Sequence, residues 1–184
     1  MRLSALFAPA IAAVSLGVSG CISNSLSDFQ EADRTLRLEE YFLGETTAYG
    51  IFEDRFGKIR RQFTVDITGT LKGDTLTLVE DFDYSDGVTD TRTWTIDVLG
   101  DGKYRGTAND VPGIAEGQAV GNAFNWQYKA ELKVDGDTWT VGFDDWMYLL
   151  EDGVLINRAY VTRFGIRIGE VTISFQKGSR GGRS

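Results

Sequence analysis

Histidine is absent from all 184 residues. That excludes imidazole-based triads, histidine-ligated zinc or haem, and an imidazole pH switch. One cysteine, Cys21, rules out a disulfide within the chain. No glycine-rich loop precedes a helix, so there is no phosphate cradle. The longest largely apolar run, Leu3 to Val18, is about sixteen residues, short of the ~20 a spanning helix needs. Lysine and arginine number 19 against 27 aspartates and glutamates, a net charge of −8. Such a balance disfavours nucleic acid and anionic membrane faces as partners. Nothing in the sequence calls for a cofactor or a metal.

What is present begins at the N-terminus. Met1-Arg2 is a charged start, Leu3 to Val18 is apolar apart from Ser4 and Ser15, and Val18-Ser19-Gly20-Cys21 closes the segment with small residues and the lone cysteine. This is the layout of a secretory signal. The alternative is an ordinary signal, or a membrane helix, with an incidental cysteine. A free cysteine at the start of a secreted protein would be an unexplained leftover. The position instead matches the bacterial lipobox, in which the chain is cut before a cysteine carrying diacylglycerol. Two acyl chains anchor stably without a transmembrane segment. Cys21 is therefore the predicted lipidation site and the predicted link to a membrane. In the lipoproteins this resembles, Ile22 after the cysteine, in place of aspartate, implies an outer-membrane address facing the periplasm.

Loss of residues 1–20 from 184 leaves 164, enough for one domain with a full core, and removes Arg2, taking the charge to −9. Residues 21–34 are polar and aperiodic and read as a flexible spacer. Residues 35–177 form the predicted domain, and the glycine-rich basic stretch 178–184 a disordered tail. Twenty-two glycines, eleven phenylalanines, seven tyrosines and four tryptophans point to strands joined by tight turns. Thr35 is the expected cap of a short helix running to Phe42 and stopped by Gly44. From Thr47 the hydrophobic period is two, and ten runs follow: 48–52, 58–71, 75–84, 89–98, 104–110, 115–123, 125–134, 138–149, 154–164 and 166–176. The predicted fold is all-β, an antiparallel meander of about ten strands closed into a barrel, which abolishes exposed edges.

Turn chemistry fixes the registers. Asp135-Gly136 is a two-residue hairpin signal pairing Leu132 with Trp139, Tyr128 with Phe143 and Trp126 with Asp145. Ser85-Asp86-Gly87 suits a three-residue loop, because only that length sets Leu78 opposite Trp94 and Glu80 opposite Arg92 on one dry face. Around Gly100-Asp101-Gly102 the same logic pairs Trp94 with Ala108 and Arg92 with Asp110. The expected interior polar group is then Glu80, Arg92, Asp110, Asp145 and Arg158, with Trp94, Trp126 and Tyr128 beside it. Charges placed inside must find one another or a ligand. Two readings stand: an internal station receiving a ligand's headgroup on Arg92 or Arg158, or a self-satisfied network that fixes register. Trp126, Trp139 and Trp146 are expected in the core. The small residues Ala115, Gly117, Ala119, Gly121 and Ala123 either leave room for a ligand or receive Trp94, Trp126 or Phe124. The carboxylate pairs Asp144/Asp145 and Glu80/Asp110 are the one candidate for acid–base chemistry.

Several motifs are familiar together. Tyr41-Phe42-Leu43-Gly44, residues 52–57 (Phe-Glu-Asp-Arg-Phe-Gly), residues 80–84 (Glu-Asp-Phe-Asp-Tyr), residues 143–148 (Phe-Asp-Asp-Trp-Met-Tyr), Ile156-Asn157-Arg158 and Arg163-Phe164-Gly165 resemble an uncharacterised family of proteobacterial lipoproteins, a domain of unknown function, over roughly residues 38–176. The layout of one short helix followed by a meander also resembles the lipocalin-type calycins, although the Gly-x-Trp of their first strand is missing. The expectation is a non-enzymatic binding or carrier protein for a small amphipathic ligand, such as a fatty acid or lipid. The alternatives are a structural or interaction lipoprotein of the envelope with a solid core, and a carboxylate-dependent hydrolase.

Overall fold

In the computed structural model, residues 24–134 and 136–180 are described; the lipobox and Cys21 lie outside them. Ten strands follow in order: β1 (Gly44–Asp54), β2 (Ile59–Lys72), β3 (Thr75–Tyr84), β4 (Thr89–Gly100), β5 (Lys103–Ala108), β6 (Ala115–Val120), β7 (Ala123–Val134), β8 (Asp137–Leu149), β9 (Leu155–Arg163) and β10 (Ile166–Lys177). Each pairs antiparallel with its sequence neighbour, and β1 pairs with β10, so the sheet closes on itself. The expected barrel is the fold observed. Its cause is the period-two pattern: β4 buries Trp94 and Ile96 and exposes Thr93, Thr95 and Asp97.

The turns work as their residues require. Gly87 has φ +83°, and the Tyr84 amide donates to the Val88 carbonyl at 3.0 Å, closing the three-residue loop. Leu78 then faces Trp94, and Glu80 faces Arg92. The β7–β8 hairpin runs in register from Val134/Asp137 to Ala123/Tyr148. Several strand boundaries differ from expectation, with β1 beginning at Gly44 rather than residue 48. Ala123 belongs to β7, and β5 ends at Ala108, so Asp110 lies in the turn beyond the ladder.

The two ends of the barrel are unlike. One end holds the β2–β3, β4–β5, β6–β7 and β8–β9 connections and is plugged by α1 (Leu38–Tyr41). This helix is shorter than expected, and its N-cap is Arg37 rather than Thr35. Leu36, Leu38 and Phe42 are buried beneath the strands, and Phe42 meets Phe175 edge-on with centroids 5.4 Å apart. Lys177 Nζ donates to the Tyr41 and Leu43 carbonyls at 2.7 Å each, holding the helix end. The preceding chain is also ordered: a 3-10 turn over Leu26–Phe29, closed by a Ser25/Asp28 capping box, lays Phe29 on Trp146 and Tyr148. Trp146 is thus an outer-face residue, not a core one. Its neighbour Asp145 points in, and period two sends Trp146 out. At the other end of the chain, Arg180 bridges Asp66 and Asp83. Among the described residues no helix is long and apolar enough to cross a membrane.

The opposite end carries the other five hairpin connections. The 109–114 loop folds over it, with Val111 buried and the Asp110 carbonyl accepting from the Glu131 amide at 2.8 Å.

Candidate functional site

Inside the barrel the character of the wall changes with height. The plugged half is hydrocarbon: Leu76, Ile96, Phe124 and Leu155 are fully buried. Above it Trp94 and Trp126 pack with centroids 4.5 Å apart. The room left by small residues on β5 and β6 is taken by these rings. A Cβ added at Gly117 would fall 2.4 Å from Trp126 Cβ, and one at Gly106 would fall 2.9 Å from Trp126 Cζ3. Of the two readings of that stripe, aromatic filling is the one observed.

Toward the hairpin end the wall becomes polar. Arg92 Nε donates to Asp110 Oδ2 at 3.0 Å, and its Nη2 makes a second, very close contact to the same oxygen. The 109–114 loop brings Asp110 in, so this expected pair forms although no ladder joins the two residues. Glu80 stands across the ladder from Arg92. On the facing wall, buried Asp145 accepts from Asn157 Nδ2 at 3.0 Å and from the Tyr128 hydroxyl. Tyr128 stacks on Phe143 at 5.2 Å and meets Trp94 edge-on at 5.3 Å. The groups feel one another across the barrel: Arg92, Asp110 and Asp145 all act on the charge of Glu80.

These side chains lie deep in the protein, yet Arg92 and Asp110 each keep 22% of their side-chain surface accessible. Glu80, Tyr128, Phe143, Phe82 and Phe63 are likewise only half-buried although all face inward. Part of the surface of each thus stays accessible on the inner side of the sheet. Among the described residues two side-chain polar atoms remain buried without a hydrogen-bond partner, Asp110 Oδ1 and Trp126 Nε1.

The electrostatics follow from that setting. Burial pushes the Glu80 carboxyl up to about 7; Arg92 opposes the rise, while Asp110 and Asp145 add to it. Asp145 is also raised, by burial, against the pull of its bonds from Asn157 and Tyr128. Burial lifts the Tyr128 hydroxyl well above its ordinary value, and Asp145 lifts it further. Burial works against the Arg92 charge, but Tyr128, Glu80 and Asp110 outweigh it and hold the guanidinium above its usual range.

Of the residues the sequence singled out, Glu80, Arg92, Trp94, Asp110, Trp126, Tyr128 and Asp145 are brought together. Arg158 is not. It is exposed on the outer face and pairs with Glu170 at 3.7 Å. The inner face of β9 is Leu155, Asn157, Ala159 and Val161, one residue out of phase with the expectation. Asn157 is therefore the interior residue that sequence reasoning missed. The pair Asp144/Asp145 cannot act as one unit: Asp144 sits on the opposite face and accepts from Asn125 at 2.7 Å. A separate cleft of about 620 Å³ at the rim is lined by residues that include Glu53, Asp54, Arg55, Arg167 and Glu170, none of them part of this interior group. Two of its three carboxylates are already engaged, Asp54 by Arg60 at 2.6 Å and Glu170 by Arg167.

Compared with known families, residues 15–177 match the model described as a protein of unknown function, DUF3833. The chain belongs to that family. A comparison with curated proteins gives no match. Among solved structures, this DUF3833 barrel is similar to an S-type phycobiliprotein lyase, CPES, from Guillardia theta. The TM-score is 0.53 at 6% identity, covering 77% of this chain and 92% of that one. At that identity the likeness establishes a shared lipocalin-like fold and nothing about chemistry.

Proposed function

We propose that this protein is a lipid-anchored envelope protein that binds a small amphipathic molecule inside its barrel without transforming it. The observation that carries the reading is the interior station: ionisable groups from four strands and a loop, set among aromatic rings and bordering accessible space. A barrel built only for rigidity gains little from buried charge, which costs several kcal/mol per unpaired ion. An aromatic-walled space with a few convergent polar groups is the usual make-up of a ligand site.

The proposed address rests on Cys21 and its lipobox, and one contact of the described chain supports a direction for it. Asn24 Nδ2 donates to the Tyr148 hydroxyl at 2.7 Å, near the plugged end of the barrel. Two residues, Ile22 and Ser23, lie between Cys21 and Asn24, and three steps of chain reach at most about 10 Å. An acyl anchor at Cys21 then holds the plugged end toward the membrane and turns the hairpin end to the aqueous side, which is the periplasm for an outer-membrane lipoprotein. The Cys21→Ser variant should leave the membrane fraction or keep its signal uncut. If it is cleaved and still partitions with the outer membrane, the anchor reading is wrong. Native mass spectrometry of protein taken from its own envelope should show a small-molecule adduct. A bare mass, with thermal stability unmoved by added amphiphiles, would favour the solid-core envelope scaffold instead.

A further inference from the structure

We propose, resting on the binding reading above, that the polar group the barrel selects is an organic cation, an amine or quaternary ammonium on an apolar chain, and that a carboxylate is rejected. Arg92 is the one cation of the station, and both its Nε and its Nη2 are committed to Asp110 Oδ2. Its Nη1 edge is uncommitted, but a fatty-acid carboxylate seated there would share the one guanidinium with Asp110. That would bring a further carboxylate against Asp110, with Glu80 and Asp145 adding like charge in a poorly solvated space.

What the station has to spare is acceptor capacity. Asp110 Oδ1 is buried and unpartnered. Glu80 has no lysine or arginine nitrogen within 4.0 Å among the described residues. The aromatic surround complements a cation as well. Trp94, Trp126, Tyr128 and Phe143 form a continuous wall with successive centroids 4.5, 5.6 and 5.2 Å apart, and ring faces attract an ammonium group, most strongly when it is desolvated. A metal ion is a poorer occupant: among the described residues no three carboxylates converge tightly enough to hold one.

Trp126 adds an independent pointer. It is only 5% exposed, and its Nε1–H has no partner. Its Cζ3 edge lies against Gly106 on the β5 wall. An oxygen beside the ammonium group would satisfy the Nε1–H, and this favours an amino-alcohol type of headgroup.

The test uses four probes of equal chain length below their micelle concentrations: dodecylamine, dodecyltrimethylammonium, dodecanol and dodecanoate. Trp94 and Trp126 line the space, so tryptophan emission reports binding, and calorimetry gives affinity. Both cationic probes should bind about tenfold or more tighter than dodecanoate, equivalent to about 1.4 kcal/mol. Dodecyltrimethylammonium has no proton to lose, so its pH dependence belongs to the protein. Its affinity should rise between pH 6 and 8 as Glu80, faced by Arg92, Asp110, Asp145 and Tyr128, ionises. Glu80→Gln should lose that rise and keep its dodecanol affinity, which also shows that the variant is folded. Dodecanoate binding as tightly as the amines, or pH-independent binding of the quaternary probe, would overturn the cation assignment and leave the binding reading intact. No response to any of the four probes would remove the binding reading and this assignment together.

Discussion

Removing Arg92 tests the interior station most directly. Its guanidinium is the only positive charge among Glu80, Asp110 and Asp145, and its Nε–Asp110 bond is 3.0 Å. It also lies over the Phe82 ring at 5.7 Å. Arg92→Ala removes a charge-assisted pair, leaves Asp110 with both oxygens unpartnered, and withdraws the one opposite charge near Glu80. Breaking a buried pair from one side costs on the order of 3–5 kcal/mol. Because both partners keep 22% of their side-chain surface accessible, water recovers part of that, and about 2–4 kcal/mol is the expected loss at pH 7.5. Urea denaturation measures it. The control is Arg105→Ala on the next strand, exposed and outward-facing, which should change stability by no more than ~0.5 kcal/mol. Combining Arg92→Ala with Asp110→Ala should cost less than the sum of the two, since the second change removes the stranded carboxylate. If Arg92→Ala costs no more than Arg105→Ala, the guanidinium is not in a buried network and the reasoning fails.

Other consequences are as specific. Glu80 has its folded pKa raised to about 7 above an unfolded value near ~4.3; its contribution to stability is therefore greatest below the unfolded value and is lost as pH rises through 7, on the order of 3 kcal/mol in all. Urea midpoints should fall from pH 5 to pH 8, and Glu80→Gln should flatten the curve and be the more stable protein at pH 8; an unchanged slope would mean that Glu80 is solvated. Gly117→Ala should destabilise by about 1–3 kcal/mol with the tryptophan emission shifted, because the new methyl would overlap Trp126 Cβ and lie 2.9 Å from the Asn125 carbonyl; a neutral result would show a looser β6 than described. Asn157→Leu should cost about 1–3 kcal/mol by taking one of the donors from Asp145, whereas Arg158→Leu on the opposite face should cost far less.

The hairpins were legible because each has turn residues that dictate a loop length, and only one register per loop puts large apolar residues on the same side. Ser85-Asp86-Gly87 is the clearest instance: shortening the loop by one residue would have set Leu78 against an outward-facing residue of β4. The β8–β9 connection gives no such rule. It runs through Leu150–Val154 with Asp152 at φ 54° and Gly153 at φ 73°, a bend whose length does not fix a phase. Both phases of the following strand are half apolar, Val154-Ile156-Tyr160 against Leu155-Ala159-Val161, so Arg158 and Asn157 were interchangeable by pattern alone. The Leu26–Phe29 turn was hidden for a different reason. A four-residue element has no period to detect, although Ser25 and Asp28 are spaced as a capping box and Phe29 is the one large aromatic in an otherwise polar stretch.

The station, the plug and the tether form one mechanical argument. α1 and Phe42 close one end with hydrocarbon, so an apolar chain entering from the hairpin end would meet the Glu80, Arg92 and Asp145 level before the Trp94/Trp126 floor. Depth there is limited: the rings fill the space over Gly106 and Gly117. A ligand's polar group would therefore sit inside, at the level of the carboxylates, while its chain ran outward past Phe82, Phe63 and Phe143 toward the mouth. That is the reverse of a membrane-inserted orientation, in which the chain is buried and the headgroup wet. If the lipid anchor proposed at Cys21 holds the plugged end, the emerging chain would point away from that membrane. Spin-labelled amines separate these orientations. A label on the terminal methyl should be accessible to aqueous relaxation agents and a label beside the nitrogen should be protected; the opposite pattern would place the headgroup at the mouth and leave the interior carboxylates to a structural role.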